Sequence, residues 1–245
     1  MIDQTQETQQ LAAQMTLLEH LDELRVRLIR VSIAILVTTL LSFIFSKFLV
    51  EILARPLPEG INSLESIDVT ENISVFMRVS LASGIILAMP IILYQIIAFI
   101  VPGLTSAERR FLYFTIPPAT LLFLLGVAFA YFIMLPTAIP FLIGFLDIPT
   151  QPRPSTYFGF VSRLILWIGL SFELPIIMGL LARLGIITPN FLVRNLRYAI
   201  VIIAILAALI TPTPDPINMG LAMTPLLLLY LLGIILARVM YRPRE

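Results

Sequence analysis

Apolar residues fall into six long runs separated by short polar breaks. Four are long enough to cross a bilayer comfortably, at about 29–50, 74–101, 111–135 and 157–182. A membrane helix needs about 20 mostly apolar residues at 1.5 Å rise each. Two further runs are marginal. Residues 198–210 are stopped by Thr-Pro-Thr-Pro at 211–214, and residues 217–237 contain Asn218, Gly220 and Pro225. A helix over 198–210 would cover only about 20 Å, so either the bilayer thins around it or the last two runs form a shallow hairpin. Both cases leave the two termini on one side. The pattern therefore predicts an all-α membrane protein of six transmembrane helices. Residues 1–15 are polar, rich in Gln and Thr, and lack the apolar core of a cleavable signal peptide. They are expected to be a disordered cytoplasmic tail, followed by one membrane domain over 16–240 and a short cytoplasmic tail at 241–245.

Prolines predict bends. Pro90, Pro117-Pro118, Pro136, Pro175 and Pro225 each lack an N–H and disturb the carbonyl four residues earlier. Six helices kinked in this way suggest a curved, concave body. The two halves show no internal repeat and no matched interrupted segments of the kind that mark inverted-repeat transporters.

Cation placement sets the orientation. One side collects Arg25, Arg27, Arg30, Arg109, Arg110, Arg183, Arg194, Arg197, Arg238, Arg242 and Arg244. The other holds Lys47, Arg55, Arg78, Arg153 and Arg163, and its long loop 51–73 is acidic. The arginine-rich side is read as cytoplasmic, with both termini inside.

Composition narrows the function. The chain is 59% hydrophobic and 13% charged, against about 25% charged in soluble domains, as befits an integral membrane protein. With a net charge of +1 and no basic patch, no nucleic acid is expected as a partner. Absence of cysteine excludes disulfides and thiolate sites, and the single histidine, His20, excludes a multi-histidine metal centre. No cofactor or metal is expected. Nor is an enzyme, because an intramembrane hydrolase needs a nucleophile–base pair or paired aspartates within the membrane.

Two charged clusters then stand out on the cytoplasmic side. Residues 16–28 read as an amphipathic surface helix: Thr16 and Glu19 form a capping-box pattern, and Leu17, Leu21, Leu24 and Leu28 make an apolar stripe. The opposite face presents Glu19, His20, Asp22, Glu23 and Arg27. Glu23 and Arg27 suit a solvated i,i+4 pair worth a few tenths of a kcal/mol; the surplus carboxylates equally suit an incoming cation. The second cluster, Glu108-Arg109-Arg110, follows Pro102-Gly103, with Thr105 or Ser106 placed to cap the next helix. Glu108 would sit well in that helix's first turn. Together on one face, the clusters offer carboxylates for bidentate arginine ligands and form a plausible peptide-docking site.

Glu173 is the odd residue, near the middle of the fourth run in Ser171-Phe-Glu-Leu-Pro175. A carboxylate at mid-bilayer costs about 2–3 kcal/mol or more, so it requires a hydrogen-bond partner, a partner helix or a proton-linked role. Asp215, flanked by Pro214 and Pro216, reads as a turn residue at the outer tip.

The chain resembles the TatC family, the polytopic component of the twin-arginine protein translocase. The resemblance rests on His20-Leu-x-Glu23-Leu-Arg25-x-Arg27-Leu, Pro90-x-x-Leu-Tyr-Gln-x-x-x-Phe99, the loop ending Glu108-Arg109-Arg110, Phe129-Ala-Tyr131-Phe132, Ser171-Phe-Glu-Leu-Pro175 and Leu209-Ile-Thr-Pro-x-Pro-Asp215. These motifs run in order from about residue 16 to 240. The resemblance implies a glove-shaped body and a receptor for twin-arginine signal peptides, exporting folded proteins on the proton-motive force. It implies that Glu23 and Glu108 recognise the arginines and that Arg25, Phe99, Leu104 and Arg110 support or border the site. It also implies that Glu173 lies on a concave intramembrane face and that Pro56 and Asp215 are functionally sensitive exported positions. The implied partners are single-span TatA- and TatB-type proteins, further copies of the chain, and the lipid bilayer of a bacterial inner membrane or a thylakoid. One departure is Asp22, beside Glu23, which offers a second carboxylate. The rival readings are a secondary transporter coupled through Glu173 and a scaffold that only assembles other membrane helices.

Overall fold

The computed structural model describes residues 2–101, 106–144, 152–211 and 216–241. Side chains are described from Glu19 in the first helix, from Arg109 in the fourth, and from Met219 in the last, Leu221 excepted. Among these residues the regular structure is all helix. The α-helices are α1 (Ile2–Ile44), α2 (Ser46–Ala54), α3 (Glu71–Ile100), α4 (Ser106–Phe129), α5 (Leu135–Ile143), α6 (Pro154–Ser171), α7 (Leu174–Arg183), α8 (Pro189–Arg194), α9 (Leu196–Ile210) and α10 (Pro216–Met240). A 3-10 turn covers Gly60–Ser63, and a π-helical segment, Ala130–Met134, joins α4 to α5.

Among the described residues, five stretches are long and apolar enough to cross a membrane: Glu19–Ile44, Glu71–Ile100, Arg109–Ile143, Pro154–Arg183 and Ala222–Met240. The fifth apolar run is the short helix α9. Pro225 stays inside α10 without ending it.

The first helix differs from the sequence expectation in two ways. It starts at Ile2, so residues 2–15 are helical rather than a disordered tail, and the amphipathic segment and first span form one rod. No Gly or Pro occurs from Ile2 to Ile44, and Gln, Leu, Ala and Met are good helix formers. The rod ends at Ile44 rather than near residue 50, and α2 continues from Ser46. The third span also runs further than expected, through Pro136 to Ile143. Its π segment lies immediately before Pro136, where the extra residue accommodates the missing donor. By contrast, the fourth span breaks at Phe172–Glu173, just before Pro175.

The core gathers around α6. Phe158, Val161, Leu164 and Ile168 are buried, with Met134 and Leu135 packed in from the α4–α5 span and Leu226 from α10. Helix α1 lies along α3 instead of entering this core. At their crossing, the Thr38 hydroxyl donates to the Gly84 carbonyl at 2.8 Å, and a Cβ on Gly84 would overlap Thr39. Lipid tails are as apolar as leucine, so small-residue packing of this sort joins membrane helices better than apolarity does.

Candidate functional site

The face of α1 that meets α3 carries Glu23, Arg27, Val31, Ile35, Thr38 and Ser42, all at least partly buried. This reverses the expected amphipathic orientation. Leu21, Leu24 and Leu28 of the apolar stripe are exposed, while Glu23 and Arg27 turn toward protein. The leucines stand on the outer surface, not in the protein core.

The inward turn builds a compact polar cluster. Arg27 donates to Glu23 Oε1 from Nε at 3.1 Å and also from its NH2 group. Its remaining terminal nitrogen donates to Gln95 Oε1 at 3.3 Å. Gln95 is buried near the end of α3, so it fixes the guanidinium, and the guanidinium fixes the carboxylate. One turn further along α3, the Phe99 ring stacks on His20 with centroids 4.3 Å apart and planes 20° apart. His20 Nδ1 lies 3.9 Å from Glu23 Oε2. Thus Oε1 is occupied and Oε2 faces the aromatic plates, in a side chain still 30% exposed. Arg25 projects away, among Leu21, Leu24 and Leu28.

The other face of the same end of α3 holds the start of α4. Ile97 and Val101 pack against Leu112, and Tyr94 against Tyr113. Arg109 and Arg110 are exposed three and two residues before Leu112. The Arg183 guanidinium, at the end of α7, sits 4.1 Å from the Phe111 ring centroid. The middle of α1 and the start of α4 therefore flank the same end of α3, with His20, Glu23 and Phe99 gathered on one side and Arg110 next to the Leu112 contact on the other. Glu108 belongs by its backbone to the first turn of α4. Its side chain, like Leu104 and Asp215, lies outside the described residues.

At the opposite end, Pro56 has a local consequence. Lacking an N–H, it cannot donate to the Ile52 carbonyl, and Leu57 donates to Ala54 rather than to Leu53. The Tyr131 hydroxyl donates to the Ile52 carbonyl and the Tyr157 hydroxyl to the Leu53 carbonyl, both at 2.8 Å. Nearby, the buried Glu71 carboxylate accepts from the Ile67 N–H at 3.2 Å, the Ser155 N–H at 2.9 Å, and the hydroxyls of Ser66 and Ser155. It ties the loop before α3 to the start of α6.

Glu173 lies in the break between α6 and α7 and is only 2% exposed. Its Oε1 makes no hydrogen bond among the described residues. Neither do the described residues bring together three or more His, Cys, Asp or Glu side chains as a metal site would.

Gln95, Glu71, Ser155 and Tyr157 had no assigned role in the sequence, and Arg27 was only half of a surface pair. Gln95 did carry a signal, an amide within an apolar helix one turn before Phe99.

Comparison with known proteins gives one consistent picture. The family model for TatC, described as Sec-independent protein translocase protein, matches residues 19–225. The chain is 39% identical over 233 residues to a TatC of Carboxydothermus hydrogenoformans, covering 94% of this chain and 96% of that one. It is 40% identical to a TatC of Aquifex aeolicus, covering 94% and 98%. A chloroplastic relative from Arabidopsis thaliana is 38% identical over 90% of this chain and 65% of its own length. A crystal structure described as the twin arginine translocase receptor TatC superposes with a TM-score of 0.81 at 40% identity, covering 91% of this chain and all of that one.

Proposed function

Because the chain belongs to the TatC family of Sec-independent protein translocase proteins, a group of translocase components rather than catalytic enzymes, we propose that it is the twin-arginine signal-peptide receptor of a Tat translocase. It would work with TatA- and TatB-type single-span partners and further copies of itself. Folded cargo would be exported on the proton-motive force. The topology that suits this role is six spans with both termini cytoplasmic, in a bacterial inner membrane or a thylakoid.

One observation carries the reading: the Glu23 carboxylate is held by Arg27, itself braced by Gln95, with one oxygen still turned toward His20 and Phe99. A guanidinium arriving from the cytoplasm bonds that oxygen and lies against the stacked rings, which favour a planar cation. The second arginine goes to Glu108, one residue before the exposed Arg109 and Arg110, which border the site. Leu104 borders the approach, and Arg25, turned toward the leucine stripe, supports the site from the outer face of α1. Charge-assisted hydrogen bonds contribute about 1.5–3 kcal/mol each, so two carboxylates discriminate a twin-arginine peptide from a single-arginine one. Lysine pairs bind more weakly because an ammonium has no planar fork.

Glu173 serves a different step. Its buried, unpartnered oxygen suits a hydrogen bond to a polar side chain of a partner helix within the membrane. Pro56 and Asp215 act at the exported loops, Pro56 through the tyrosine-capped end of α2.

The test is site-specific photocrosslinking from positions 23 and 108 to a twin-arginine signal peptide and to its Lys-Lys version. Crosslinks from both positions that weaken with Lys-Lys are expected. Absence of crosslinks from either position sinks the receptor reading and returns both carboxylates to helix-capping and pairing roles.

A further inference from the structure

Two arginines interrupt the membrane-spanning surface far from the Glu23 end. Arg78 lies in the Glu71–Ile100 span and Arg163 in the Pro154–Arg183 span, and both are exposed on the outside of the protein. If each span is centred on about 30 Å of hydrocarbon, they attach about 4 and 7 Å inside its boundary, on the Glu71 side. Exposed cations at that depth require a counter-anion or must reach up to the interface. Among the described residues no carboxylate lies within ion-pair distance of either.

The two arginines share a built groove. About 390 Å³ of space between α3 and α6 is lined by Arg78, Leu81, Ala82, Gly159, Ser162 and Arg163, among others. Gly159 is essential to its shape, since a Cβ there would occupy the position of the Arg78 guanidinium. That guanidinium donates to the Ser155 carbonyl at 2.8 Å, which aims it across α6. Arg163 follows Gly159 by one helical turn on the same face. Ser162, 6% exposed, lines the groove with a buried hydroxyl that finds no hydrogen-bond partner among the described residues. Such a hydroxyl is costly to bury unless something accepts from it. Below the cations the groove continues along apolar side chains, including Ile85 and Leu166.

We propose that this groove is a binding site for an anionic phospholipid of the leaflet at the Glu71 end. Its phosphate bridges Arg78 and Arg163 and accepts from the Ser162 hydroxyl, and one acyl chain lies along the apolar continuation. A cationic head above an apolar floor matches a phosphodiester joined to a hydrocarbon chain. A soluble anion would leave the floor uncovered.

Native mass spectrometry of the full-length, delipidated protein tests this, with phosphatidylglycerol and phosphatidylcholine added in equal amounts. The expected result is about a tenfold preference for phosphatidylglycerol, the scale of one charge-assisted hydrogen bond. Arg78→Gln combined with Arg163→Gln should bring the preference to parity, while Arg197→Gln combined with Arg238→Gln should leave it intact. Ser162→Ala, which alters no charge, should reduce it about threefold. Inorganic phosphate at millimolar concentration should displace nothing. Equal binding of the two lipids by the unsubstituted chain, or a preference that survives the loss of both arginines, overturns the proposal and assigns the arginines to an acidic partner helix or to water. Displacement by free phosphate overturns the commitment to a lipid.

Discussion

Glu23 and Glu71 are both carboxylates on membrane helices, yet they occupy opposite situations. Glu71 is buried and accepts hydrogen bonds from three residues, Ser66, Ile67 and Ser155, so its valences are filled. Glu23 has one oxygen clamped by Arg27, while the other stands 3.9 Å from His20 in a partly exposed side chain. The first carboxylate joins two parts of the fold, and the second is held ready for a ligand. The difference lies in how many donors the fold supplies, since both carry the same charge. A saturated carboxylate has nothing left to offer, whereas a half-saturated and positioned one retains its affinity for a guanidinium.

The harshest way to break this comparison is to remove Glu71. Glu71→Ala leaves the Ser155 and Ile67 amides without their acceptor and unties α3 from α6. It should give the largest drop in folded yield and thermal midpoint of any substitution named here, with peptide affinity per folded molecule unchanged. A thermal midpoint within about 2 °C of the unsubstituted protein would show that the Glu71 network is not structural. Glu23→Gln should do the reverse. Twin-arginine peptide affinity, read by fluorescence anisotropy, is expected to fall about ten- to hundredfold, the equivalent of one charge-assisted bond. Thermal stability should hardly move. If Glu23→Gln destabilised the fold as much as Glu71→Ala, the two carboxylates would be of one kind.

A finer distinction comes from Tyr157. Its hydroxyl supplies the Leu53 carbonyl, which the turn around Pro56 leaves without a donor. Tyr157→Phe strands that carbonyl at a cost of about 1–3 kcal/mol, visible as a drop of a few degrees in thermal midpoint. Peptide binding at the other end should be untouched. A change in peptide affinity instead would mean that the two ends are coupled through the core.

The spans were legible because apolar runs of sufficient length have one meaning in a chain this hydrophobic. The orientation of α1 was not. A leucine stripe at helical spacing can face protein or lipid equally well, and only the packing on α3 shows that Leu21, Leu24 and Leu28 face outward. Once they do, Glu23 and Arg27 cannot be a solvated pair. Glu71 looked like one acidic residue in an acidic loop, because its partner Ser155 is 84 positions away. Pro136 and Pro175 looked alike in sequence. The first follows a π segment inside an unbroken span and the second follows a true break, a difference set by what packs around each. Glu23, by contrast, was visible from local spacing, since Glu23 and Arg27 are one turn apart.

The subtlest test concerns Gln95, which touches no ligand in the proposed site and acts only through Arg27. If Gln95 positions the Arg27 guanidinium, and Arg27 in turn positions Glu23, then Gln95→Leu keeps the volume but frees the clamp. The lost bond is worth about 0.5–1.5 kcal/mol, so peptide affinity should fall only about two- to tenfold. Affinity alone would not distinguish positioning from a general loosening of the α1–α3 contact. The ratio of affinities for Arg-Arg and Lys-Lys peptides would. A carboxylate that wanders still attracts a cation, but it no longer presents its oxygen at the angle that a planar fork requires. Gln95→Leu should therefore weaken Arg-Arg binding more than Lys-Lys binding and move the ratio toward one. A general loosening of the helix pair lowers both affinities together and leaves the ratio where it was. In that case Glu23 would be an exposed charge like any other, and its contrast with Glu71 would reduce to exposure.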